Sequence, residues 1–333
     1  MSPRRRIIPI FVPHAGCPND CVFCNQKRIS GSLFPASGDT VHAALSGIED
    51  GAGYELAFYG GSFTAIPAQQ QEELLAAAAA YRARGVVGAI RVSTRPDCMD
   101  EASLERLRAY GVTTVELGAQ SMSDRVLVLS GRGHTAADTR RGAKLVKDAG
   151  FSLILQMMTG LPGSDDETDL ETARQLAALR PGGVRIYPTV IVRDTALETM
   201  WRAGLYREHS VEDAVRVCAA IVPIFEAADI PVIRLGLNPT EELSGGAALG
   251  GAYHPALGEL VRSRILRSKA EALLRCVPPG SWAVLLVPPR WVSAMTGQHR
   301  ENLAWLKNAF SLSELRVRPD ETADEGIKLQ ILP

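Results

Sequence analysis

The stretch HAGCPNDCVFCN, from His14 to Asn25, sets three cysteines at Cys17, Cys21 and Cys24, a C-x3-C-x2-C spacing. It follows an apolar run, RIIPIFV from Arg6 to Val12, that reads as a buried strand. Pro13, Gly16 and Pro18 then turn the chain into a loop. Three thiolates therefore converge at the end of a strand, the arrangement that suits a soft metal or an iron–sulfur cluster. A closed four-iron cluster takes four thiolates, so three leave one iron for a ligand that is not protein. Two other readings stand beside this one. His14 with the three cysteines makes a Cys3His zinc site, or a distant fourth cysteine closes the cluster into an electron-transfer centre.

Outward from the loop, the chain alternates strand and helix. Tyr54 to Phe63 is an apolar strand running into Gly60–Gly61–Ser62, where glycines let backbone approach a ligand closely. Further strands are expected at Ala89–Ser93, Thr113–Gly118, Phe151–Met157 and Val184–Tyr187. Helices are expected at Val41–Ile48, Pro67–Arg84, Glu101–Tyr110, Ala136–Ala149 and Thr168–Ala178. Such alternation means β/α units on a parallel sheet. With the first two strands this makes six units, an open six-stranded barrel, with a full eight-fold barrel as the alternative. In either, function belongs at the C-terminal ends of the strands. The unusual polar clusters fall there: STRPD from Ser93, ELGAQS from Glu116, RGHT from Arg132, QMMTGLPG from Gln156 and IYPT from Ile186. Each alone also has a structural reading. Asp97 or Asp100, and Thr135, would serve as helix caps, and Gln120 or Gln156 as core amides bonded to backbone.

At 333 residues the chain is one large α/β domain with an appendage, or two domains. A net charge of −1 and 46% hydrophobic residues carry no overall basic excess of the kind that announces nucleic acid, although a local patch is compatible with them. No apolar run approaches membrane-spanning length, and the N-terminal one is too short for a signal peptide, so the cytoplasm is expected. Cys98, Cys218 and Cys276 stand isolated, against both a disulfide framework and a second cluster.

With Phe23 just before its last cysteine, the C-x3-C-x2-C loop resembles the signature of the radical SAM enzymes. TRPD, E-x-G-x-Q-S, RGHT, QMM-x-x-LP, YPT-x-x-x-R and W-x-x-G-x-Y (Trp201, Gly204, Tyr206) appear in an order similar to that of one branch, the radical SAM domain of the Elongator catalytic subunit, a tRNA-modifying enzyme. A more distant likeness is to oxygen-independent coproporphyrinogen III oxidase. The resemblance covers about Ile7 to Leu235. It implies a radical SAM (β/α)6 partial TIM barrel with a [4Fe–4S] cluster on Cys17, Cys21 and Cys24 and S-adenosylmethionine (SAM) on the fourth iron. Reductive cleavage of SAM to a 5′-deoxyadenosyl radical is implied too, with a flavodoxin- or ferredoxin-type electron donor. It further implies Phe23 beside adenine, Gly61 and Ser62 at the methionine amino group, and Gln120 and Gln156 on ribose or methionine polar atoms. Arg132 would pair with the methionine carboxylate, and Met158 and Pro188 would pack on adenine. Ser93 stands where related enzymes often place an acid toward SAM. Glu116 and Cys98 are the candidates left for chemistry on the substrate. RNA or tRNA is the implied substrate, and a tetrapyrrole or other small molecule the alternative. A non-catalytic iron–sulfur or zinc module is the competing class.

The expected division is a core domain over 1–237 and an extension over 238–333. A helix is read at Ser210–Ala227 and a strand at Ile230–Leu237. Asn238 to Ala252, rich in small residues, reads as a loop over the barrel mouth. A helix through Leu274 leads to a small α/β domain: strands at Trp282–Val287, Glu314–Arg318 and Ile327–Leu332, and a helix at Arg300–Phe310. No acetyl-CoA loop is legible there, so Elongator's full carboxymethyl-uridine chemistry is not implied. Arg290, His299, Arg300, Lys307, Arg316 and Arg318, with Trp291 and Trp305, read either as a basic-aromatic RNA face or as solvated surface over an ordinary core.

Overall fold

The computed structural model describes residues 6–12, 17–25, 36–48, 53–238, 240, 243–323 and 326–332, so His14 and the zinc reading that needs it lie outside the described residues. The main sheet runs in chain order through β1 (Arg6–Val12), β2 (Tyr54–Gly60), β3 (Ala89–Thr94), β4 (Thr114–Gln120), β5 (Ser152–Thr159) and β6 (Gly183–Pro188). The short β7 (Val190–Val192) leaves the sheet, and β8 (Val232–Leu235) returns as its seventh strand. Every pairing in it is parallel. The six expected strands are thus joined by the Ile230–Leu237 segment, which closes no barrel but extends the curl. Between the strands run α1 (Gly38–Leu45), α2 (Ala68–Ala83), α3 (Glu101–Ala109), α4 (Asp124–Leu129), α5 (Ala136–Asp148) and α6 (Asp166–Ala178).

Side chains alternate across this sheet with period two. Leu56 and Phe58, Ile90 and Val92, Val115 and Leu117, and Val184 and Ile186 are fully buried and form the apolar layer. The alternate positions carry Glu55, Tyr59, Arg91, Glu116, Arg185 and Tyr187, an interior of charged and phenolic groups. Burying such charges is tolerable only when they are paired, and here they are. Arg91 lies 2.8 Å from Glu55 and 3.4 Å from Glu116, and Arg185 Nε lies 3.0 Å from Glu116. Arg185 also donates to the hydroxyls of Tyr59 (2.5 Å) and Tyr187 (3.1 Å).

The helix starts are locally encoded. Asp100 accepts from Ser103 N–H at the head of α3, and Thr135 and Asp138 form a reciprocal capping box at the head of α5. Asp97 instead takes a two-pronged bond from Arg95, at 2.9 and 2.8 Å. The segment expected to be loop from Asn238 to Ala252 contains a strand, β9 (Ala248–Gly251), antiparallel to β7. Its Ala-Leu-Gly-Gly composition has no strand signature. Gly251 is required there, because at φ 84° a Cβ would lie 2.7 Å from the Thr189 carbonyl oxygen.

The chain divides into two compact units, 1–210 with 221–253, and 211–220 with 254–333. The α7 helix (Ala196–Arg202) belongs to the first, and α8 (Val211–Ala227) contributes to both. In the second, β10 (Trp282–Val287) lies between parallel β11 (Glu314–Pro319) and antiparallel β12 (Lys328–Leu332). The helices α9 (Leu257–Leu274), α10 (Val292–Thr296) and α11 (Glu301–Ala309) supply Leu266, Met295 and Leu306 to a core with Leu285 and Leu315. No described helix is long and apolar enough to cross a membrane.

Candidate cofactor site

The half-buried Cys17, Cys21 and Cys24 follow the C-terminal end of β1, and the loop that carries them is held from two sides. Val22 N–H donates to Ser130 O at 3.1 Å, and Val22 O accepts from Leu197 N–H at 2.7 Å. Asn25 Nδ2 donates to the carbonyls of Arg193 and Asp194. The Ser130–Gly133 contact requires glycines. Gly131 (φ 65°) would place a Cβ 2.8 Å from Asp20 O, and Gly133 (φ 69°) would place one 2.4 Å from the Asn19 side chain. Sequence reasoning missed this clamp, whose signal was the S-G-R-G alternation.

Arg132 sits between those glycines and is 7% exposed. Its Nη1 donates to Cys21 Sγ at 3.3 Å and its Nη2 to Gly118 O at 2.7 Å, while Nε is buried without a partner among the described residues. Next along β4, Gln120 takes φ 62° inside a tight turn closed by Ser121 N–H on Ala119 O at 2.8 Å. A left-handed γ-turn at a non-glycine residue costs about 1–3 kcal/mol, and such strain collects at ligand sites. The β4–β5 register shifts at this point, and Gln156 Nε2 donates to Gln120 Oε1 at 3.2 Å. Cys21, Arg132, Gly118, Gln120 and Gln156 thus form one connected polar run along the rim.

A second, apolar group gathers Phe23 and Tyr187 against Met158, Val126 and Leu161. Pro188 is buried opposite Thr159 on β5. At the β2 end, Gly61 N–H is already bonded to Val12 O at 2.9 Å, and Ser62 is 1% exposed. Ser93 is half-buried, in register with Glu116. Glu116 lies two residues deeper along β4 than Gly118, as the shared counterion of Arg91 and Arg185. Cys98 is half-buried on the turn after β3, where burial pushes its thiol up, away from thiolate. His134 is held neutral, pushed down to about 4 by burial and then by the Arg132 charge. Its Nε2 meets Ala119 O at 3.2 Å, so it is a structural hydrogen bonder.

The loop after β5 hangs on Asp169, which the sequence did not single out, and on Tyr206 of the W-x-x-G-x-Y motif. Asp169 accepts from Gly160 N–H at 2.9 Å and Ser164 Oγ at 2.5 Å, and Tyr206 donates to Gly160 O at 2.7 Å. Burial pushes the Asp169 carboxyl up to about 6. A folded-state pKa above the unfolded value means that the folded chain holds the proton more tightly. Stability from this group is therefore present at low pH and lost as pH rises from about 4 to about 6, by roughly 3 kcal/mol. Asp169→Asn keeps an acceptor and has no charge to bury. Denaturation at several pH values should show the wild-type advantage over D169N shrinking between pH ~4 and ~8, and a gap that does not change with pH would refute the assignment.

The leftover groups fit an anionic cofactor assembly. Arg132 Nε and Arg95 Nη1 are buried cationic donors with no acceptor among the described residues, and the Cys21 thiol lies against Arg132 and within electrostatic reach of Arg95. No three described His, Cys, Asp or Glu side chains gather tightly enough for a single metal ion. A parallel half-barrel with a cysteine loop and buried guanidinium donors on its strand-end rim defines a cofactor-dependent α/β-barrel enzyme.

The chain belongs to the radical SAM superfamily: the superfamily's model matches residues 11–176, and that of the Radical_SAM C-terminal domain matches 181–267. Its cofactors are accordingly a [4Fe–4S] cluster and SAM. Human Elongator complex protein 3 is 31% identical over 179 residues, covering 53% of this chain and 32% of that protein. The tRNA uridine(34) acetyltransferase of Methanocaldococcus jannaschii is 34% identical over 132 residues, covering 39% and 24%. The chain therefore matches only a quarter to a third of these relatives' lengths. Among solved structures, Methanocaldococcus infernus Elp3 with an N-terminal deletion superposes with TM-score 0.63 at 23% identity, over 79% of this chain and 63% of that one, a likeness of fold.

Proposed function

We propose that this enzyme performs radical chemistry on RNA, with tRNA as the first candidate substrate. When bound and reduced by a flavodoxin- or ferredoxin-type donor, the cofactor pair supplies a 5′-deoxyadenosyl radical that abstracts hydrogen from the substrate. The chain's residues bind and shield that chemistry. Cys17, Cys21 and Cys24 would hold three irons. Arg132 would turn its Nε to the methionine carboxylate, and Gln120 and Gln156 would take ribose or methionine polar atoms. Phe23, Met158 and Pro188 would flank adenine. Gly61, its N–H already engaged, is left with a carbonyl for the methionine amino group, beside Ser62 and Ser93. Glu116 is read as a counterion of the barrel interior.

The connected polar run from Cys21 through Arg132 to Gln120 and Gln156 carries this reading, because it ties a thiol of the C-x3-C-x2-C loop to strained, polar rim groups. The name of the Methanocaldococcus jannaschii relative, a tRNA uridine(34) acetyltransferase, supports an RNA substrate. So does the segment 254–333, where eleven Lys and Arg stand against eight Asp and Glu. There Arg267 lies over Trp305 at 4.7 Å, Arg290 over Trp291 at 5.6 Å and Arg316 over Trp282 at 5.2 Å. Cation-bearing aromatics of this kind suit single-stranded bases.

Anaerobic reconstitution with iron and sulfide, then reduction with SAM present, should yield 5′-deoxyadenosine from wild type and none from Cys21→Ala. A fully loaded cluster that leaves SAM intact would refute the radical reading. Transfer RNA should bind with an affinity that falls steeply with salt. If it neither binds nor raises the nucleoside yield, the substrate returns to the small-molecule class.

A further inference from the structure

Arg132 has more to do than any one ligand contact requires. Its backbone is pinned by Arg132 N–H on Leu127 O at 2.9 Å and flanked by two left-handed glycines, so the side chain is aimed by the fold. The guanidinium is buried and, among the described residues, has no carboxylate partner. Arg95 nearby differs, being neutralised by its two-pronged bond to Asp97. The uncompensated charge of Arg132 is therefore delivered through Nη1 to Cys21 Sγ at 3.3 Å.

We propose that Arg132 is a positioning residue that sets the reduction potential of the cluster through its N–H···S bond to Cys21. The proposal rests on the reading of Cys21 as a cluster ligand. Hydrogen bonds to ligand sulfurs and nearby positive charge both stabilise the extra electron of the reduced cluster, and so raise its potential. Reduction adds one electron to the cluster and breaks no bond. The electron comes from the external donor, and the guanidinium keeps its protons. One side chain would thus favour reduction through Nη1 while holding Nε for SAM.

The test uses the SAM-free cluster, so that SAM binding does not enter. Wild type, Arg132→Met, Arg132→Gln and Arg132→Lys are reconstituted anaerobically and matched for iron and sulfide content. The reduced fraction is then followed by electron paramagnetic resonance during a redox titration. Arg132→Met should reduce about tenfold less favourably, a fall of about 59 mV for one electron. Arg132→Gln, which keeps a donor without charge, should fall less, and Arg132→Lys least. A potential equal to wild type in Arg132→Met overturns the proposal, and if that variant takes up no cluster, equality in Arg132→Gln does so. Weaker SAM binding with an unchanged potential also overturns it, leaving Arg132 as a SAM ligand only. A wild type that takes up no cluster would instead defeat the ligand reading on which the proposal stands.

Discussion

Glu116→Ala is expected to destabilise the chain by about 3–5 kcal/mol, the cost of removing one partner from a buried ion pair. The Glu116 side chain is 2% exposed and is the only acidic group within ion-pair distance of Arg185 among the described residues. Arg91 would keep Glu55, but Arg185 would retain only the hydroxyls of Tyr59 and Tyr187. A guanidinium buried without a counterion is what makes the truncation expensive. Glu116→Gln preserves volume and an acceptor and should lose less. Thermal melting of the two variants checks this, with a fall on the order of 10 °C expected for Glu116→Ala. Melting unchanged from wild type would show that the interior charges are solvated after all, and would restore Glu116 as a candidate for chemistry.

The second large effect is expected at Gly131. Gly131→Ala places a Cβ 2.8 Å from Asp20 O at φ 65°, backbone against backbone, where no side-chain rotation can relieve the contact. The left-handed conformation itself costs an alanine only about 1–2 kcal/mol, so the fold should survive. The cysteine loop should instead back away, weakening the Val22–Ser130 bond and the Arg132 contact with Cys21. Cluster uptake, counted as iron and sulfide per chain after reconstitution, should fall by about 10–100-fold in affinity, as when supports of metal ligands are lost. A G131A protein that loads its full cluster would mean that the clamp does not position the cysteine loop for cluster binding.

Much of the architecture was legible because its causes are local. Period-two apolar runs, glycine-marked turns and caps such as Asp100 and Thr135 act within a few residues. The strands and helices expected from them formed, within a few residues at their ends. The short α4 and α7 escaped notice, since one to two turns carry no readable period. The β7–β9 pair escaped because its second strand is made of small residues whose extended form is imposed by a partner. Of the interior charges, Glu116 was read as a candidate for chemistry and Glu55, Arg91 and Arg185 simply as strand residues. Arg91 and Glu55 are 36 positions apart, and only the register of the sheet shows them to be paired.

The site divides the same way. By itself the sequence determined the chemistry available: three thiols at C-x3-C-x2-C spacing, a strand-end glycine turn, and the polar types at each strand terminus. These are covalent and short-range properties, set by composition and separation along the chain. Only the tertiary structure decided how they are used. It carried Arg132 across 111 positions to Cys21, spent the Gly61 N–H on Val12, and turned Glu116 inward between two arginines. Hydrogen bonds and buried charges are satisfied by whatever the parallel sheet brings within about 3 Å, and that proximity is a property of the folded register, which no local pattern encodes.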